Sequence, residues 1–121
     1  MDDNPGIVTI APNVLVTIVQ KTAATVPGIA QLADGVPGAK RFFGRQTVGK
    51  GVEVDVVDDQ VRVDIHLIAK RDVDLYQMGR QLQREVTRAI EDIVGMQVRE
   101  VNVHIEDVQT DLALDKDKDE G

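Results

Sequence analysis

The chain has 121 residues and a formal net charge of −7 at pH 7, with 42% hydrophobic residues. That length is a single domain by the usual size prior, able to bury a modest core. It contains no Cys, no Ser and no Trp, which excludes disulfides, thiolate metal sites and Ser or Cys nucleophiles.

The charge is unevenly placed. Asp107 to Gly121 holds six acidic and two basic side chains, and Asp2 and Asp3 add two more negatives. The body between them is close to neutral. Phosphate binding needs a basic surface, and one Tyr and two Phe offer few stacking platforms, so the composition disfavours nucleic acid as a partner. No apolar run approaches the roughly 20 residues of a membrane span. The acidic start Met1-Asp2-Asp3-Asn4 is unlike a signal peptide, and the simplest expectation is an intracellular soluble protein.

In chain order, residues 1–5 read as disordered, and a single α+β domain spans 6–108. Gly6-Ile7-Val8-Thr9-Ile10 is short and β-rich and predicts a strand. Pro12 suits the first turn of a helix running to about Thr25, with Val14, Leu15, Ile18, Val19, Thr22 and Val26 as its apolar stripe. Pro27-Gly28 ends it. Ala33 to Lys50 is irregular and punctuated by glycines. Within it lie Gly35-Val36-Pro37-Gly38 and the basic–aromatic run Lys40-Arg41-Phe42-Phe43-Gly44-Arg45.

A hairpin follows. With Asp58-Asp59 as its turn, Val56 faces Val61, Val54 faces Val63, and Val52 faces Ile65 on one face. On the other, Asp55 meets Arg62 and Glu53 meets Asp64. Asp74, with Asp72 as the alternative, caps a second helix whose stripe is Leu75, Met78, Leu82, Val86, Ala89, Ile90 and Ile93, ending at Gly95. A last strand spans about Glu100 to Val108, and Gln109 to Gly121 reads as a disordered acidic tail. The order strand–helix–strand–strand–helix–strand predicts a two-layer α+β sandwich, ferredoxin-like or KH-like. Its sheet is small, mixed or antiparallel, with both helices on one face.

Several residue groups bear on chemistry. His66 and His104 point to the face away from the core, and Asp64 or Glu106 could join them at a metal. The simpler reading is a pair of solvent-facing imidazoles. The abundant carboxylates Asp55, Asp58, Asp59, Asp64, Asp72 and Asp74 fall in a turn, on an exposed face and at a cap, not in a paired catalytic arrangement. There is no phosphate-binding loop and no dinucleotide fingerprint. No catalytic residue, metal or cofactor is assigned. Gly35-x-x-Gly38 followed by Lys40 and Arg41 matches the bare backbone clamp of KH domains, which keeps an RNA-binding module as an alternative. Lys40, Arg41, Phe42, Phe43 and Arg45 are the candidate partner contact, and the competing role for either ring is to close the core.

An ordered set of motifs adds a resemblance. Gly6-Ile7-Val8-Thr9-Ile10-Ala11-Pro12-Asn13-Val14, Val26-Pro27-Gly28-Ile29-Ala30, and Gly44-Arg45 followed by Lys50-Gly51-Val52-Glu53-Val54 are its first pieces. Val61 to Leu67, and Gly95-Met96 with Val98-Arg99-Glu100-Val101-Asn102-Val103-His104-Ile105, complete it. Together they resemble the alkaline-shock-protein, or general-stress, family of Gram-positive bacteria and their relatives. The resemblance implies a non-enzymatic cytoplasmic protein of the envelope stress response. It implies self-association and an integral membrane anchor protein as partner at the inner membrane face, or a regulator of lipid synthesis acting by protein contact. Ala69-Lys70-Arg71-Asp72 departs from the aromatic–Gly step of many members.

Overall fold

The computed structural model describes residues 5–34 and 47–109. The elements are α1 (Pro12–Ala23), β1 (Ile29–Leu32), β2 (Thr47–Gly49), β3 (Val52–Val57), β4 (Gln60–Ala69), α2 (Leu75–Ala89) with a final π-helical turn (Ile90–Val94), and β5 (Gln97–Val108). They form the two-layer α+β arrangement that the patterning predicts. Both helices cover one face of a single mixed sheet.

The sheet is built around β4. β3 pairs antiparallel with its first half, β1 antiparallel with its last residues, and β5 parallel along its whole length. β1 and β3 therefore lie end to end along one edge of β4, and they meet at His66. Its N–H donates to the Gly51 carbonyl at 2.7 Å, and its carbonyl accepts from Ala33 N–H at 2.8 Å. β2 extends the β3 side and β5 forms the opposite margin.

The hairpin has the predicted register, including Asp55 against Arg62 and Glu53 against Asp64. Asp58 and Asp59 both take positive φ, 53° and 64°, the left-handed pair whose twist matches the flanking strands. Alternation then delivers Val52, Val54, Val61, Val63, Ile65, Leu67 and Ala69 to the helices, each buried.

α1 begins with Pro12 and buries Leu15, Val16, Val19 and Ala23. Val14, on the predicted stripe, is 41% exposed, so the face is turned by about one residue toward Val16 and Ala23. α2 opens on Asp74, whose Oδ1 accepts from Gln77 N–H at 3.1 Å, and it buries Met78, Leu82 and Val86. Its last turn widens: Gly95 N–H reaches the carbonyls of both Ile90 and Glu91 at 3.1 Å. The extra residue of a π turn shifts the helical phase. Ile93 is thereby 69% exposed and Val94 packs against the core in its place.

One expectation fails at the front of the chain. Residues 6–10 are not a strand; they run exposed with no sheet partner among the described residues. The strands on either side of residues 35–46, β1 and β2, are not among the predicted elements: they carry too few residues for a period-2 pattern to show, and sheet context alone makes them strands.

Candidate functional site

The sheet face away from the helices carries a connected cluster of paired polar groups. Outward positions on β3, β4 and β5 place Glu53, Asp55, Arg62, Asp64, His66, Glu100, Asn102, His104 and Glu106 there. The parallel register sets His66 beside His104, and their rings stack at 4.5 Å with 15° between planes. Each imidazole meets a carboxylate of the other strand: His66 Nδ1 lies 2.7 Å from Glu106 Oε2, and His104 Nε2 lies 3.0 Å from Asp64 Oδ1.

The expected approach of the two histidines is thus present, but its geometry is not that of a metal centre. A metal needs donor atoms converging on one point. Here the imidazoles are parallel and each turns a nitrogen to its own carboxylate. No group of three or more His, Asp or Glu among the described residues could hold an ion. The arrangement instead stitches β4 to β5 with charge-assisted contacts.

Arg62 does the same. Although it faces Asp55 in the ladder, its Nε lies 2.8 Å from Glu100 Oε2 and 3.8 Å from Asp64 Oδ2. Asn102 Nδ2 donates to the same Glu100 oxygen at 3.0 Å. Asp55 is left with Oδ1 buried and without a hydrogen-bond partner among the described residues. The pairing expected from the hairpin register alone is outcompeted by β5.

Glu53 sits opposite Asp64. Desolvation, and then the Asp64 charge, push its carboxyl above the usual range. Ionising Glu53 is therefore harder in the folded state than in the unfolded chain. Its contribution to stability is fully present below the ordinary glutamate value and is lost as pH rises through the raised one. Glu53→Gln should melt higher than the parent at pH 7–8, and the gain should vanish at acid pH. A thermal melt series against pH checks this; a gain that grows on acidification would contradict it.

A second surface was not visible in the sequence. Between α2 and β5 runs a shallow groove lined by Leu75, Tyr76, Gly79, Arg80, Gln83, Val103 and Ile105. Arg80 lies over the Tyr76 ring at 4.9 Å and donates to its hydroxyl, closing one wall. The groove requires α2 to lie along β5, a tertiary relation with no local signature.

The candidate partner contact Lys40, Arg41, Phe42, Phe43 and Arg45, and the KH-like Gly35-x-x-Gly38, lie outside the described residues. No helix of the described residues is long and apolar enough to cross a membrane.

Comparison with known proteins agrees with the motifs. An uncharacterized protein of Bacillus subtilis (strain 168), YqhY, is 29% identical over 111 residues, covering 91% of this chain and 82% of that protein. An uncharacterized protein of Streptococcus pyogenes serotype M6 is 26% identical over 104 residues, covering 85% of this chain and 79% of its own length. Among solved structures, the MamM CTD (residues 215–293) superposes with a TM-score of 0.50 at 11% identity, over 80% of this chain and 99% of that one. At that identity the likeness speaks to fold alone. Residues 1–110 match the family described as having cell envelope-related function, and the chain belongs to that alkaline shock protein (ASP23) family.

Proposed function

We infer that the protein is a non-enzymatic component of envelope stress responses, acting by self-association and by binding a membrane-protein partner at the cytoplasmic face. The observation that carries this reading is the margin of β5, a long strand that among the described residues is paired on one side only and is bordered on the other by an apolar groove. Unpaired strand backbone is a template for another chain. The envelope-related family supports the cellular setting.

The polar sheet face supports the same reading. Its two histidines are each held by a carboxylate, and no nucleophile with an adjacent base is among its residues. The carboxylates Glu53, Asp55, Asp64, Glu100 and Glu106 on that face also weigh against an RNA backbone docking there. The membrane partner is assigned to the sequence segment carrying Lys40, Arg41, Phe42, Phe43 and Arg45, on its basic–aromatic composition.

The test has two parts. Sedimentation should show concentration-dependent association, and affinity capture from native membranes should retain an integral membrane protein. Replacing Phe42 and Phe43 by Ala should abolish that capture with the melting temperature unchanged. A strict monomer that never fractionates with membranes would remove the reading.

A further inference from the structure

We propose that the edge of β5 left unpaired among the described residues is completed by residues 6–10 of a second copy, which add as a strand beside Val103–Asp107 and lay apolar side chains in the α2–β5 groove. This rests on the self-association reading above and names the contact.

The edge is open over a short, defined stretch. Val98 N–H is taken by Glu91 Oε2 at 3.4 Å, the Val101 carbonyl by Gln83 Nε2 at 2.9 Å, and Val108 N–H by Asp107 Oδ1 at 2.8 Å. These groups face away from β4. The ladder is regular from Glu100 to Ile105, so alternation turns the backbone groups of Val103 and Ile105 outward as well. No described side chain caps those. The two ends of β5 are thus covered and its middle is left open, at the residues that line the groove.

Gly79 keeps the groove open. A Cβ there would have Val103 Cγ1 at 3.9 Å as its one neighbour within 4 Å. Glycine inside a helix costs about 0.5–1 kcal/mol relative to alanine. This glycine sits at an ordinary helical φ, so neither crowding nor backbone conformation requires it.

The occupant comes from the same chain's unmet needs. Ile7, Val8, Thr9 and Ile10 have strand-forming side chains, yet none is paired. Ile7 is 87% and Val8 90% exposed. The five residues extend over about 17 Å, close to the length of the open stretch. The segment does not pair with its own β5. It leads directly into α1, which packs on α2, β2 and β3, with Val16 against Gly49. Gly49 lies on the opposite margin of the sheet, about three strand spacings or 14 Å from β5. A second molecule can present its segment to that edge directly.

Each copy then offers one segment and one edge. Such a head-to-tail contact propagates beyond a dimer unless it closes on itself.

Two variants test this by complementation. Ile7→Asp with Val8→Asp removes the segment, and Gly79→Leu fills the groove; both positions leave the core untouched, so melting temperatures should stay at or above the parent's. Each variant alone should associate at least tenfold more weakly than the parent in sedimentation velocity. Their equimolar mixture should regain dimers, because each retains the half the other lacks, but nothing larger. Because the chain has no cysteine, Val8→Cys and Tyr76→Cys copies treated with a short bismaleimide should crosslink to each other. Parent-like association of both variants would overturn this contact while self-association stands. Loss in Gly79→Leu alone would mean another occupant, such as a second β5, and would also overturn it. A monomeric parent would remove both.

Discussion

Gly51→Ala should be the most damaging single-methyl addition among the described glycines. Gly51 has φ 67°, a conformation that costs an L-residue about 1–2 kcal/mol. A Cβ there would stand 2.7 Å from the His66 carbonyl oxygen, 2.9 Å from Leu32 Cβ and 3.0 Å from Ala33 N. Those atoms are backbone or the root of a side chain, so none swings aside. Moving them strains the two hydrogen bonds that join β1 and β3 to His66, each contributing about 1 kcal/mol. A loss of about 3 kcal/mol should appear as a lower urea midpoint with an unchanged slope. Gly95→Ala is the control: φ is 83°, but nothing lies within 4 Å of the added methyl, so only the backbone cost, about 1–2 kcal/mol, applies. Equal losses at the two positions would show that the junction relaxes around the methyl.

Leu82→Ala should cost about 2–5 kcal/mol, the range for emptying a buried leucine site. Leu82 is fully buried near the middle of α2, against the sheet. Domains of this kind have about 5–15 kcal/mol in total, so the variant should lose a large share of its stability. Ile93→Ala, on the same predicted stripe, should change stability by less than about 0.5 kcal/mol, because Ile93 is 69% exposed. Chemical denaturation of the pair separates the two faces; comparable losses would contradict the phase shift at the π turn.

That pair shows where reading from sequence stops. The stripe of α2, its Asp74 cap and its Gly95 end are local signals, and all three are found. The hairpin register follows from alternation and is found pair by pair. The change of winding after Ala89 is not local, and it redirects Ile93. β1 and β2 are strands because β4 and β3 give them partners, and nothing in their few residues announces it. Residues 6–10 show the converse: strand chemistry without a partner among the described residues. Among polar groups, the approach of His66 and His104 was legible from face and alternation. Their stacking, and the diversion of Arg62 from Asp55 to Glu100, required the register of β5. The groove was illegible for the same reason.

The end-to-end placement of β1 and β3 on β4 also orders the cost of closing the chain. Joining β3 to β4 closes a loop of two residues, whereas β5 must return across α2 and β1 pairs Ile29 with Ala69. Loop-closure entropy rises with separation, so the hairpin is the inexpensive contact, while β1 and β5 stand about equally far from β4 in sequence and each costs more to join. β1 also has few residues with which to repay it. Docking β1 beside Gly51 is then a late event, formed on a strand already held along its other edge. Interactions made after the rate-limiting barrier govern unfolding more than folding. The junction at His66 thus acts as a latch on the finished domain, setting how long it stays closed rather than how fast it forms.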